Sequence, residues 1–129
     1  MNTSDILVKH NIRPSIIRVM IYDYLREHPV HPTADEVYDK LSSKIPTLSK
    51  TTVYNTLNLF VKEGVIITVN IDSTKVRFDA DTNIHGHFLC SKCEKVYDFK
   101  VNSEFLNDPK GFEVHSKDVY YTGICPYCK

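Results

Sequence analysis

The chain has 129 residues, 42% of them hydrophobic, with 16 basic residues set against 16 acidic ones. That length suits one domain or two small ones, and the composition excludes a disordered chain. No apolar run reaches the roughly 20 residues of a membrane span, and MNTSDILVKH lacks the layout of a secretory leader, so the cytoplasm is the expected location.

The first periodic segment is RPSIIRVMIYDYLREH (13–28). Pro14 suits the first helical position, and Ile17, Met20, Ile21, Tyr24 and Leu25 recur at helical spacing. Next, TADEVYDKLSSKI (33–45) opens on Thr33 and Glu36, spaced as a capping box requires, while Ala34, Val37, Tyr38 and Leu41 make one apolar stripe. After IPTL, the run SKTTVYNTLNLFVKEG (49–64) starts at a Ser49 N-cap and stops at Gly64. Val53, Leu57, Phe60 and Val61 face inward; Lys50, Thr51, Tyr54, Asn55 and Asn58 share the outer face.

An outer face of that kind is either a solvated surface or a recognition helix, because hydroxyls, amides and a lysine can bond phosphates and base edges. With zero net charge, local patterning must decide. The helix runs directly into VIITVN, IDST and KVRFD, two β-rich runs about a turn, which is the order of a helix-turn-helix followed by a hairpin wing. Residues 1–79 are therefore expected to form a winged-helix DNA-binding domain. Arg13, Arg18 and Lys50 are its candidate phosphate contacts, with Thr51, Tyr54 and Asn55 beside them on the reading face and Arg77 as a further cation in the wing.

ADTN (80–83) reads as a hinge. Beyond it, HGHFLC, KVYDF, FEVHS and VYYTGIC are short β-runs around a helical or irregular piece near VNSEFL (101–106). The expected class is α+β: the winged domain, then a small α/β unit over 84–129.

Cys90, Cys93, Cys125 and Cys128 are the only cysteines, arranged as two Cys-x-x-Cys knuckles. In a reducing compartment such a pair favours Zn²⁺ over disulfides, and four thiolates leave the ion no open position, so the site is structural. A pair of redox dithiols, or plain buried cysteines, is the alternative. If 84–90 is a strand, alternation puts His85 and His87 on the face opposite Cys90, so the histidines belong to a second site. Asp98 on the following strand, Asp79 at the end of the wing and His31 in VHPTAD are candidates to complete it. Such a nitrogen/oxygen set suits Fe²⁺ or Mn²⁺, with Zn²⁺ also able to bind. Taken singly, His31 and Asp79 read more readily as solvated loop residues and Asp98 as an exposed strand residue; His10, His28 and His115 are read that way.

The motifs HPTADEVY (31–38), SKTTVYNTLNLFVKEG (49–64), RFD (77–79), HGHFLCSKC (85–93), VYDF (96–99) and GICPYC (123–128) occur in one order. In them the chain resembles the ferric uptake regulator family of metal-dependent repressors, along essentially its full length. The resemblance implies a C-terminal dimerisation domain over 84–129, a four-cysteine structural zinc and a regulatory site at the hinge. It is greatest to the peroxide-sensing branch, whose regulatory ligands fall on His31, Asp79, His85, His87 and Asp98; aspartate at 98 is that branch's choice. Ile84 and Gly86 stand where iron-type relatives carry further histidine and aspartate, so an additional metal site of that kind is not expected. The stretch between VYDF and GFEV is short, which implies a truncated dimerisation helix.

The function so implied is repression by a homodimer on a double-stranded DNA operator, with peroxide sensed through Fe²⁺-dependent oxidation of His31 or His85. The nearest alternative is the same fold sensing iron or another metal by occupancy. A metallohydrolase would need a catalytic motif of the HExxH kind, which is lacking, and a zinc-ribbon interaction module would not need the helix-turn-helix and wing.

Overall fold

The computed structural model describes residues 2–102, 104 and 106–129. They fall into two compact units, Met1–Thr82 and Asn83–Lys129.

The N-terminal unit begins with a helix that sequence periodicity misses. Helix α1 (Thr3–Lys9) is only seven residues long, with the Asn2 side chain accepting from the Asp5 amide as its N-cap. It is held by tertiary contact: Leu7 is fully buried, and the Thr3 hydroxyl donates to the Asp23 carboxylate. Helix α2 (Ile16–Glu27) starts two residues later than Pro14 suggests. Ser15, in extended conformation, caps it by accepting from the Arg18 amide, so Pro14 precedes the helix and does not open it.

Helix α3 (Ala34–Leu41) carries the full capping box, with the Thr33 hydroxyl accepting from the Glu36 amide and the Glu36 carboxylate accepting from the Thr33 amide. A cap of this kind contributes about 1 kcal/mol. Helix α4 (Lys50–Lys62) is capped by Ser49 and stops at Gly64, whose φ of 78° is the left-handed conformation that glycine adopts freely. The apolar stripes of these helices meet in one core. Leu7, Ile21, Val37, Val53, Leu57 and Phe60 are each 0% exposed, and Phe60 meets Tyr22 edge-on at 6.0 Å. Truncating Phe60 to alanine should cost roughly 3–5 kcal/mol. Strands β1 (Ile67–Asp72) and β2 (Lys75–Asp79) follow as an antiparallel hairpin, the wing expected from sequence.

The C-terminal unit is a three-stranded sheet in the order β4-β3-β5, where β3 is Gly86–Cys90, β4 is Val96–Phe99 and β5 is Val119–Gly123. β3 pairs antiparallel with β4 and parallel with β5. Two expectations fail here. FEVHS (112–116) forms no strand, and its Phe112 is left 71% exposed, without the buried face that would hold a strand in place. The strand expected over 84–90 begins only at Gly86, leaving His85 just ahead of it. The helical piece expected near 101–106 falls in part on Ser103 and Phe105, outside the described residues. Among the described residues no helix is long and apolar enough to cross a membrane.

Candidate metal centres and nucleic-acid interface

The C-terminal unit has almost no aliphatic core: Cys90 and Cys125 are its only fully buried large side chains among the described residues. So small a unit cannot stabilise itself by apolar burial alone and needs a staple. The four cysteines provide one. Their Sγ atoms lie within 4.8 Å of one another, with Cys93 and Cys125 at 3.8 Å. Thiolates around a tetrahedral Zn²⁺ with ~2.3 Å bonds stand about 3.8 Å apart, so the cluster has the spacing the ion requires.

Local backbone supports the thiolate form. The Cys125 and Cys93 amides donate to Cys90 Sγ at 3.4 and 3.5 Å. These donors, Cys125 first, hold the Cys90 thiol down to about 6. Burial raises Cys125, but the Tyr97 hydroxyl, the Cys128 thiol and the Tyr127 amide outweigh it and leave the group lowered. Cys128, facing that sulfur, is pushed up to about 12. Four thiols so crowded cannot all ionise without a cation among them. The first knuckle closes through Glu94, whose amide donates to the Cys90 carbonyl at 2.9 Å with φ at 61°.

Sequence reading missed Tyr97. Its hydroxyl donates to Cys125 Sγ at 3.6 Å and lies 3.8 Å from Cys93 Sγ, while its ring stacks on Tyr127. Alternation could have found it, since Tyr97 pairs with Phe88, which shares its face of β3 with Cys90.

The other face of the same sheet carries different donors. His87 and Asp98 are register partners, and Asp98 Oδ1 stands 3.4 Å from Nε2 of both His87 and His85. The two imidazoles lie 4.4 Å apart by ring centroid. His85 Nδ1 donates to the Asn83 carbonyl at 2.7 Å, which fixes its tautomer and leaves Nε2 as the ligating nitrogen. Gly86, between the histidines, leaves room for its register partner: a Cβ there would meet the Phe99 ring at 2.2 Å and force it to shift.

Within the N-terminal unit, His31 Nε2 stands 3.3 Å from Asp79 Oδ2, and both residues are buried. The Asp81 amide donates to Asp79 Oδ1 at 2.8 Å, which turns the other oxygen toward the imidazole. His31 has φ of 56°, a conformation costing about 1–3 kcal/mol for a side-chain-bearing residue unless its surroundings hold it there. Adjacent ligands of a six-coordinate ion with ~2.1 Å bonds stand about 3 Å apart, so both donor groups have the chemistry and spacing for Fe²⁺ or Mn²⁺. His10 and His28, by contrast, donate from Nδ1 to the Ile6 and Tyr24 carbonyls near their helix ends, and exposed His115 pairs with Glu113.

On α4, Lys50, Thr51, Tyr54 and Asn55 are all exposed along one face. Lys50 lies over the Tyr38 ring, 5.7 Å from its centroid. The Tyr54 hydroxyl donates to Asp35 Oδ1 at 3.2 Å; that carboxylate raises the phenol and keeps it protonated. Arg13 is exposed, whereas Arg18 is half-buried and donates from Nη1 to the Arg13 carbonyl at 2.9 Å. Arg77 does not fit a solvent-facing phosphate contact: it is 8% exposed, and its Nη1 donates to the His31 carbonyl at 3.1 Å.

Comparison with known proteins bears on this arrangement. The profile described as "Ferric uptake regulator family" matches residues 9–122. The peroxide-responsive repressor PerR of Staphylococcus epidermidis is 35% identical over 130 residues, covering 95% of this chain and 85% of that protein. Among solved structures, the ferric uptake regulator Fur of Helicobacter pylori superposes with a TM-score of 0.78 at 20% identity, across 99% of this chain and 94% of that one, a likeness of fold. PerR from Streptococcus pyogenes, solved to explain peroxide sensing and gene regulation, matches with a TM-score of 0.57 at 27% identity over 100% of this chain and 95% of that one.

Proposed function

This chain belongs to the ferric uptake regulator family, and on that premise we propose that it is a metal-dependent DNA-binding repressor that gives up its operator when peroxide reaches its regulatory ion. Its relatives are named as regulators and repressors, so the imidazole and carboxylate groups are read as a sensor and not as the centre of a hydrolase.

One observation carries the reading: two donor sets of opposite kind in a single chain. The thiol cluster Cys90, Cys93, Cys125 and Cys128 is closed, and it takes a structural Zn²⁺. The imidazole–carboxylate groups, His31 with Asp79 and His85, His87 with Asp98, serve one exchangeable ion, Fe²⁺ or Mn²⁺. Residues 80–83 act as the hinge between residues 1–79 and 84–129. Ligands on both sides of it make ion binding select one inter-domain arrangement. In that arrangement a homodimer offers two α4 helices to the half-sites of a pseudo-palindromic operator in double-stranded DNA. The edge strand β5, with Tyr121 57% exposed, supports a surface for the second copy.

When bound, Fe²⁺ supplies the peroxide chemistry that leaves an oxygen on a ligand histidine, His31 or His85, whereas Mn²⁺ supports repression without that reaction. The protein's own part is placement. Asn83 keeps His85 Nε2 directed at the ion, Asp81 does the same for Asp79, and Asp98 spans two imidazoles. The PerR relative at 35% identity favours this branch over sensing by occupancy alone.

The test exposes Fe²⁺- and Mn²⁺-loaded protein to low peroxide while following operator binding and the masses of peptides covering His31 and His85. Loss of DNA with a 16-dalton gain (one oxygen) only in the iron form is expected. An iron form that keeps its DNA and gains no oxygen leaves the occupancy sensor as the correct reading.

A further inference from the structure

His31 is held in its left-handed conformation by contacts within the N-terminal unit. Arg77 Nη1 donates to the His31 carbonyl at 3.1 Å, the Phe78 amide donates to the Pro32 carbonyl at 3.0 Å, and Thr33 forms an isolated β-bridge with Arg77. Strand β2 thus grips the loop from His31 to Thr33 along its length.

The arginine is an odd choice for stability. It is 8% exposed, and its Nε has no hydrogen-bond partner among the described residues. A guanidinium buried with so few bonds loses much of its hydration, and an apolar residue of similar volume would often serve the fold as well. What an apolar residue cannot do is hold the His31 carbonyl.

We propose that Arg77 is a positioning residue for the regulatory metal site. By fixing the His31 carbonyl it sets the turn that aims the imidazole at Asp79, building this half of the site before an ion arrives. Arg77 and Asp79 lie two residues apart on β2, so one strand presents a ligand and the clamp on its fellow ligand. Since β2 is also half of the wing, the ligand loop and the wing form a single body, and an ion held by His31 acts directly on a DNA-facing element. The inference rests on the repressor reading only in taking His31 and Asp79 as metal ligands.

Arg77→Met and Arg77→Lys in the zinc-loaded full chain separate the possibilities. Three quantities are read: amide hydrogen exchange at His31, Thr33 and Phe78 without regulatory metal, Mn²⁺ affinity by calorimetry, and operator affinity at saturating Mn²⁺. In Arg77→Met, exchange should accelerate and Mn²⁺ affinity fall about 10- to 100-fold, as for loss of an outer-sphere partner. Operator binding should return when Mn²⁺ is raised, and Arg77→Lys should fall between. The proposal is overturned if no variant that folds, judged by zinc content and near-UV circular dichroism, changes either exchange or Mn²⁺ affinity. It is equally overturned if Mn²⁺ affinity is unchanged while operator affinity stays low at saturating Mn²⁺, because Arg77 would then be a direct phosphate contact. The exchange measurement needs no DNA, so a wild-type protein that fails to bind DNA in response to metal would reject the repressor reading while leaving Arg77 separately tested.

Discussion

Asp98 Oδ1 stands 3.4 Å from His87 Nε2, across a register pair of the β3–β4 ladder. The same oxygen is 3.4 Å from His85 Nε2, so one carboxylate serves two imidazoles. With its side chain 41% exposed, Asp98 adds little to packing, and its removal should act on the site and not on the fold. Asp98→Asn is expected to retain zinc and thermal stability within about 0.5 kcal/mol, as surface changes usually do. Its Mn²⁺ affinity should fall by about tenfold or more, since a neutral amide replaces an anionic ligand. Calorimetric titration beside a melting curve measures both, and unchanged Mn²⁺ affinity would remove Asp98 from the ligand set.

Tyr97 gives a second prediction, in the thiol cluster. Its hydroxyl donates to Cys125 Sγ at 3.6 Å and lies 3.8 Å from Cys93 Sγ. Such donation withdraws charge from sulfur and stabilises the thiolate against attack and protonation. Tyr97→Phe preserves the ring that stacks on Tyr127 and deletes only the donor. Zinc should still bind one per chain, but its release to a chromogenic chelator in the presence of peroxide should be severalfold faster than in wild type. Equal release rates would mean the hydroxyl is only a neighbour of the sulfurs.

These two residues also mark what can be read from the sequence. Helices α3 and α4 are legible because their caps are local: Thr33 and Ser49 each bond an amide three residues on. The knuckles and the histidine pair are legible because metal chemistry demands close spacing. Helix α1 is not legible, being too short for periodicity and secured from outside by the Thr3–Asp23 bond. FEVHS alternates like a strand but stays outside the sheet with Phe112 71% exposed, because pairing depends on burial of one face, which alternation alone does not report. Tyr97 reaches a sulfur 28 residues away and Arg77 a carbonyl 46 residues away. Contacts of that range follow from the packed chain and not from any window of it.

Acid should release the zinc at a definable point. The Cys125 and Cys93 amides hold the Cys90 thiol at about 6, down from 9.0. A group whose pKa is depressed by folding contributes fully above its unfolded value, and that contribution disappears as pH falls through the folded one. Zn²⁺ takes the thiolate, so protons compete with it over the same range and lose ground to the ion. Zinc content and near-UV circular dichroism should therefore hold from neutral pH down to about 6 and collapse together below it. A midpoint above pH 7 would show that the amide donors do not protect the site, and zinc loss without a spectral change would deny the ion its structural role.

The exposed face of α4 should divide into contacts that position and contacts that read. Lys50, parked over the Tyr38 ring, is about one helical turn from Tyr54 and roughly a turn and a half from Asn55 on the same exposed face. As a phosphate contact its loss should weaken all sequences alike and lower the salt slope of binding by about 1. Asn55 carries an amide suited to a base edge, so Asn55→Ala should cost about 1–3 kcal/mol on the cognate operator and relax preference at one position. Tyr54, steadied by Asp35, takes both roles, so its loss should be the most severe of the three. Tyr54→Ala should abolish the operator shift while Mn²⁺ affinity and the dimer remain as in wild type. Gel shifts at several salt concentrations on cognate and single-mismatch operators distinguish the three residues. If all three variants bind the operator as wild type does, α4 is a solvated surface and the DNA-reading face lies elsewhere.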